Sequence, residues 1–113
     1  MAERIKRGDR KDGVWLKDLD PLHGFMPYLS PTRADNEAFI QEQIDITALN
    51  EYLKKKTEGD PEFKYTYLHA IVAALVRTIT LRPKMNRFIS GNRIYQRRWI
   101  TAAFMVKRRF ADE

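Results

Sequence analysis

Residues 99–106 read Trp-Ile-Thr-Ala-Ala-Phe-Met-Val, and no polar side can be drawn through them. Placed in a strand, Ile100, Ala102, Phe104 and Val106 fall on one face and Trp99, Thr101, Ala103 and Met105 on the other. A strand that is apolar on both faces belongs in the middle of a sheet, with a covering layer on each side. The rest of the sequence offers little to provide this: one earlier strand, one hairpin, two full helices and no internal repeat. The expectation is that a longer parent chain or further copies of this chain supply the missing strands, and that alone it self-associates.

The other elements are read from periodicity and punctuation. Leu68, Ile71, Val72, Leu75, Val76 and Ile79 recur at three- and four-residue spacing, which predicts a helix over 65–81. Its apolar stripe is expected to bury against the sheet containing 99–106, and Pro83 closes it. A shorter helix is predicted over 48–56, with Thr47 as N-cap and Leu49, Tyr52 and Leu53 inward. Asp20-Pro21 starts another helix, which Pro27 limits to a turn or two and Ser30-Pro31 ends. Ile44-Asp45-Ile46 alternates as a half-buried strand does. Residues 88–90 and 93–95 flank Gly91-Asn92, a hairpin turn of type II′ by its leading glycine. Residues 1–14 form a charged arm with little local structure, and 15–113 form the folded unit.

Composition narrows the chemistry. With 43% hydrophobic and 32% charged residues the chain is globular rather than disordered. The absence of cysteine excludes disulfides, thiol catalysis and Cys-based metal sites, and two histidines cannot make a three-histidine zinc site in one chain. No glycine-rich phosphate loop and no calcium-loop spacing is present, so no bound metal is expected. The longest apolar run, near 70–76, is far short of a membrane span, and no apolar leader core follows Met1, so a soluble cytoplasmic protein is expected. Between Arg82 and Arg109 lie nine cations and no acid, interleaved with Tyr95, Trp99 and Phe104. This supports an alternative reading as a non-catalytic basic module for nucleic acid or an acidic partner, although a solvated strand face is the more ordinary meaning of such a window.

Three segments taken in order resemble a known family. They are IDITAL (44–49), FKYTYLHAIVAAL (63–75) and RPKMNRF (82–88), followed by the hairpin. Together they are similar to the N-terminal half of the chloramphenicol acetyltransferase-like domain, shared with the catalytic domain of dihydrolipoyl acyltransferases of the 2-oxoacid dehydrogenase complexes. The resemblance spans roughly 16–111. It implies an α/β fold, a mixed sheet with packed helices, of which this chain carries one half. It implies transfer of an acyl group from a coenzyme A or acyl-lipoyl thioester, without a metal, in an active site between subunits of a homo-trimer. The family's catalytic His-x-x-x-Asp-Gly is missing: His23 precedes Gly-Phe-Met-Pro-Tyr, and His69 precedes Ala-Ile-Val-Ala-Ala. The chain is therefore expected to have no catalytic residue, to bind no cofactor by itself, and to be inactive alone.

The resemblance also places Phe25, Tyr28 and Phe39 as candidate substrate contacts, because aromatics at and before the strand entering the Ile-Asp-Ile-Thr segment line the family's acceptor channel. Arg33 is a candidate for a structural or interface role toward a carboxylate of the missing half, a solvated cation being its more ordinary reading. From the residues themselves, Asp45 is expected to stabilise the start of the following helix. His69 is expected to be a half-buried structural histidine on the long helix, since no Asp, Ser or Cys lies near it in sequence to make it a general base.

Overall fold

The computed structural model describes residues 4–106. It is a mixed α/β arrangement of three helices and one small antiparallel sheet. The elements in order are β1 (Gly13–Trp15), α1 (Pro21–Leu29), α2 (Thr47–Gly59), α3 (Tyr67–Leu81), β2 (Arg87–Ser90) and β3 (Arg93–Arg97), with single 3-10 turns at Ala34–Asn36 and Pro83–Met85. The strand order is β1-β3-β2, so the hairpin strand β3 is central.

The hairpin forms as the sequence predicts, with Phe88 opposite Tyr95 and Ile89 opposite Ile94. The turn differs. Gly91 and Asn92 have φ of 57° and 58°, and two positive angles make it type I′ rather than II′. Type I′ matches the right-handed twist of the strands, and asparagine tolerates the left-handed region because its short side chain can bond locally.

The third strand comes from the segment read as an unstructured arm. Gly13, Val14 and Trp15 pair with Arg97, Gln96 and Tyr95. Asp9 organises the approach, accepting hydrogen bonds from the Lys6 amide at 3.1 Å and the Trp15 amide at 3.0 Å. Its carboxylate also lies 3.5 Å from Arg98 Nη2, with side chains only 5% and 11% exposed, so this ion pair is internal rather than superficial. The Lys6, Trp15 and Arg98 groups come from three different places along the chain. That is why the charges here look like a solvated arm when read in order.

α1 begins as predicted: the Asp20 side chain accepts from the Leu22 amide and Pro21 takes the first helical position. Pro27 does not end the helix. It is buried, the helix runs on to Leu29, and α1 packs against β3. The core is small. Among the described residues, only Leu53 (8% exposed) and Tyr95 (5%) are buried besides Gly13 and Pro27.

Two expectations fail here. α3 occupies almost the predicted span, but it has no buried residue and Leu75 is 57% exposed. Residues 99–106 form no strand, and all of them are exposed. The expected packing of this helix on a sheet containing 99–106 is therefore not made. The helix follows from local periodicity and a good cap, whereas its burial requires an opposing layer. The segment around residues 44–46 likewise forms no strand, and Tyr52 on α2 faces solvent rather than the core.

Candidate functional site

The three aromatics expected at an acceptor site separate into two places. Phe25 and Tyr28 lie one turn apart on α1 and stack with ring centroids 6.4 Å apart. Tyr28 borders a cavity of about 230 Å³ that it shares with Trp15, Leu16, Leu19 and the β3 residues Arg93 and Ile94. Phe39 sits in the segment without secondary structure between α1 and α2 and is 92% exposed, apart from that pair. Arg33 is engaged within the chain, its Nε lying 2.7 Å from the Glu37 carboxylate across the Ala34–Asn36 turn. It borders a second cavity, of about 470 Å³, between the loop after α1 and the edge strand β2, with Pro27, Asn36, Arg87 and Phe88. The two open cavities flank the C-terminal end of α1, with Tyr28 on the wall of one and Arg33 on the wall of the other.

Asp45 caps α2. Its Oδ1 accepts from the Thr47 amide at 2.9 Å and from the Thr47 hydroxyl at 2.6 Å, and these two bonds hold its carboxyl below the usual carboxylate range. Thr47 is thus the first helical residue rather than the cap.

His69 has a defined task at the start of α3. Its Nδ1 accepts from the Thr66 amide at 3.1 Å and lies 2.9 Å from the Thr66 hydroxyl, closing a capping box in which histidine stands where glutamate or glutamine is usual. Accepting at Nδ1 leaves the ring proton on Nε2. The rings of Phe63 and Tyr65 lie 5.2 and 6.5 Å from the imidazole. The imidazole is exposed rather than half-buried. The signal Thr-x-x-His before an apolar run was present in the sequence, disguised by the unusual residue at the fourth place. His23, the other histidine, lies 3.6 Å from Asp20 at the start of α1.

A third cavity, of about 360 Å³, opens between α2 and the start of α3, lined by Leu53, Thr57, Lys64, Tyr65 and Tyr67 among others. Thr57 ties its two sides together: the hydroxyl donates to the Leu53 carbonyl at 2.8 Å and accepts from the Tyr65 amide at 3.3 Å. Lys56 stands 4.8 Å over the Tyr65 ring. Sequence reading gave no warning of this cavity, because its walls come from two helices and the loop between them.

Several cations of the basic window touch other groups of the chain, although Arg93 and Arg97 stay exposed. Arg93 lies 4.1 Å over the Trp15 ring, and Arg97 lies 4.7 Å over Phe88, which itself stacks on Tyr95. Arg87 Nε donates to Gln96 Oε1 at 3.2 Å, and Arg98 faces Asp9. Lys107, Arg108 and Arg109 lie outside the described residues. Among the described residues no cluster of three or more His, Asp or Glu side chains could hold a metal, and no helix is long and apolar enough to cross a membrane.

Comparison with protein-family models, with curated proteins and with solved structures gives no match to this chain.

Proposed function

We propose that the chain is the acceptor-side half of an acyltransferase-like domain, working only when a complementary half covers its apolar faces. The observation that carries this reading is the uncovered stripe of α3, where Leu68, Ile71, Leu75 and Val76 form a continuous apolar face on a well-capped helix. A helix that is polar on its outside and apolar on one stripe is built to be covered. In the assembled domain the cavities beside Tyr28 and Arg33 receive the acceptor. A histidine of the complementary half removes the acceptor's thiol proton, the thiolate attacks the thioester carbonyl, and hydrogen-bond donors hold the oxyanion until the coenzyme A thiolate leaves. Neither histidine of this chain is assigned that role, because Nδ1 of His69 is committed to its cap and His23 is exposed at the start of α1. The alternative, a basic module for nucleic acid, is weakened by the engagement of Arg93, Arg97 and Arg98 with the chain's own rings and carboxylate.

The test is co-expression with the C-terminal half of a dihydrolipoyl acyltransferase catalytic domain, the half that carries His-x-x-x-Asp-Gly. A co-purifying complex that transfers acetyl from acetyl-coenzyme A to dihydrolipoamide, with neither half active alone, is the expected result. Turnover by this chain alone, abolished by His69→Ala, would contradict the reading. So would failure of the halves to associate.

A further inference from the structure

The cavity between α2 and the start of α3 differs from the two beside α1 in what its polar groups do. At about 360 Å³ it falls within the size of small-molecule sites, roughly 300–1,000 Å³. Its apolar part is built on Leu53, one of the few buried side chains, and on the half-buried Tyr65. The Thr57 hydroxyl bonds both the Leu53 carbonyl and the Tyr65 amide, so these two walls are held together by the chain itself. Four polar side chains also line the cavity. Asn50, Lys54 and Glu58 stand at four-residue intervals on one face of α2, and Lys64 comes from the loop before α3. Among the described residues, none of these four side chains makes a hydrogen bond or ion pair. Beside α1 the cations are engaged: Arg33 with Glu37, Arg87 with Gln96, and Lys17 and Arg93 with the Trp15 ring.

Two lysines and one glutamate give the lining a formal charge of +1. A monoanion balances it, a dianion leaves negative charge in excess, and a cation adds to the repulsion already there. The Asn50 carboxamide, one turn before Lys54 on the same helix face, offers a neutral donor beside the ammonium groups, which suits a carboxylate. Leu53 and the Tyr65 ring suit a flat apolar body. We propose that this cavity binds a small aromatic monocarboxylate, its carboxylate held by Asn50, Lys54 and Lys64 and its ring lying on Leu53 and Tyr65. The site is separate from the cavities beside α1 and stands independently of the acyl-transfer reading.

Because the chain shows other apolar faces to any aromatic probe, binding is read residue by residue. Naphthoate is titrated into dilute, isotope-labelled full-length chain and followed by the amide resonances. Naphthylmethanol, which is neutral, and naphthyl phosphate, a dianion, are titrated in parallel. The expected result is saturable shifts at Leu53, Thr57 and Tyr65, with naphthoate at least about threefold tighter than either analogue. Lys54→Gln combined with Lys64→Gln should weaken naphthoate about three- to tenfold and leave naphthylmethanol unchanged, and Glu58→Gln should tighten naphthoate about twofold. All three positions are exposed, so a parent-like spectrum of each variant separates lost binding from a lost fold. Four results overturn the proposal. The first is no saturable shift at the cavity, or shifts spread along the apolar stripe of α3. The second is naphthylmethanol binding as tightly as naphthoate, which would leave apolar contact alone. The third is a double lysine variant that binds naphthoate as well as the parent does. The last is naphthyl phosphate binding more tightly than naphthoate, which would make the site one for a dianion.

Discussion

Asp9 illustrates how one side chain sets local order. The Trp15 amide, then the Lys6 amide, hold its carboxyl below the ordinary value of 3.8; the charges of Arg98 and Lys17 add to this, and partial burial opposes it. Because the folded value is lowered, the ionised carboxylate stabilises the folded state, and that contribution is complete above the unfolded value. It is lost as pH falls below about 4 through the folded value. Thermal melts between pH 6 and pH 2 should therefore show β1 detaching early, read from Trp15 fluorescence. Asp9→Asn should flatten that acid limb, and an unchanged limb would remove Asp9 from the account. Gly13 is constrained by space, since a Cβ there would stand 2.7 Å from Phe88 Cε1 and 3.1 Å from the Tyr95 Cβ. Gly13→Ala is expected to cost about 1–3 kcal/mol in denaturant unfolding, the usual range for overpacking. At His69 the expected cost of Ala is about 1 kcal/mol, with Gln restoring most of it by completing the capping box in the usual way. If Gln proved no better than Ala, the cap would not be what His69 contributes.

At the scale of elements, the hairpin and α3 behave oppositely. The hairpin is held by its turn, its ladder and the Phe88–Tyr95 stack, so it should be sensitive to single changes. Asn92 at φ 58° is the most exposed weakness. Asn92→Val should destabilise by about 1–2 kcal/mol, while Asn92→Gly should stay close to the parent. Leu75, in contrast, lies in the middle of a long apolar stripe, where sequence reasoning expects an Asp to abolish folding. Its exposure reverses that expectation. Leu75→Asp in the dilute, isolated chain should shift unfolding by less than about 1 kcal/mol, as a surface change does. Its effect should appear only when a covering layer is bound.

The whole molecule is open. Its radius of gyration is 19.5 Å, against about 13 Å for a compact chain of this length. With so little apolar area enclosed, packing contributes less than in a closed domain, and the described chain keeps several apolar faces in contact with water. X-ray scattering from the isolated chain at low concentration should give a radius near the observed one. Covering α3 should make the mass rise faster than the radius. A dilute, monomeric chain with a radius near 13 Å would mean that α3 and residues 99–106 are packed within one copy.

Features set by neighbours in sequence were legible without coordinates. The presence of α2, the span of α3, the Asp20 cap with Pro21, and the location of the hairpin depend on interactions a few residues long, so periodicity and punctuation are enough to find them, although α2 runs on to Gly59 past its expected end at 56. The cavity-lining places of Tyr28 and Arg33 were approached only by resemblance, because cavity walls join distant segments. Only the tertiary structure decided that the charged N-terminal segment becomes β1, that the basic window turns onto Trp15, Phe88 and Asp9, and that the two most apolar stretches remain uncovered. The physical reason is the same in each case. An apolar pattern states that a face gains free energy when removed from water, but not which surface will cover it; the long-range pairing of Gly13 with Arg97, or its absence at residues 99–106, supplies that answer.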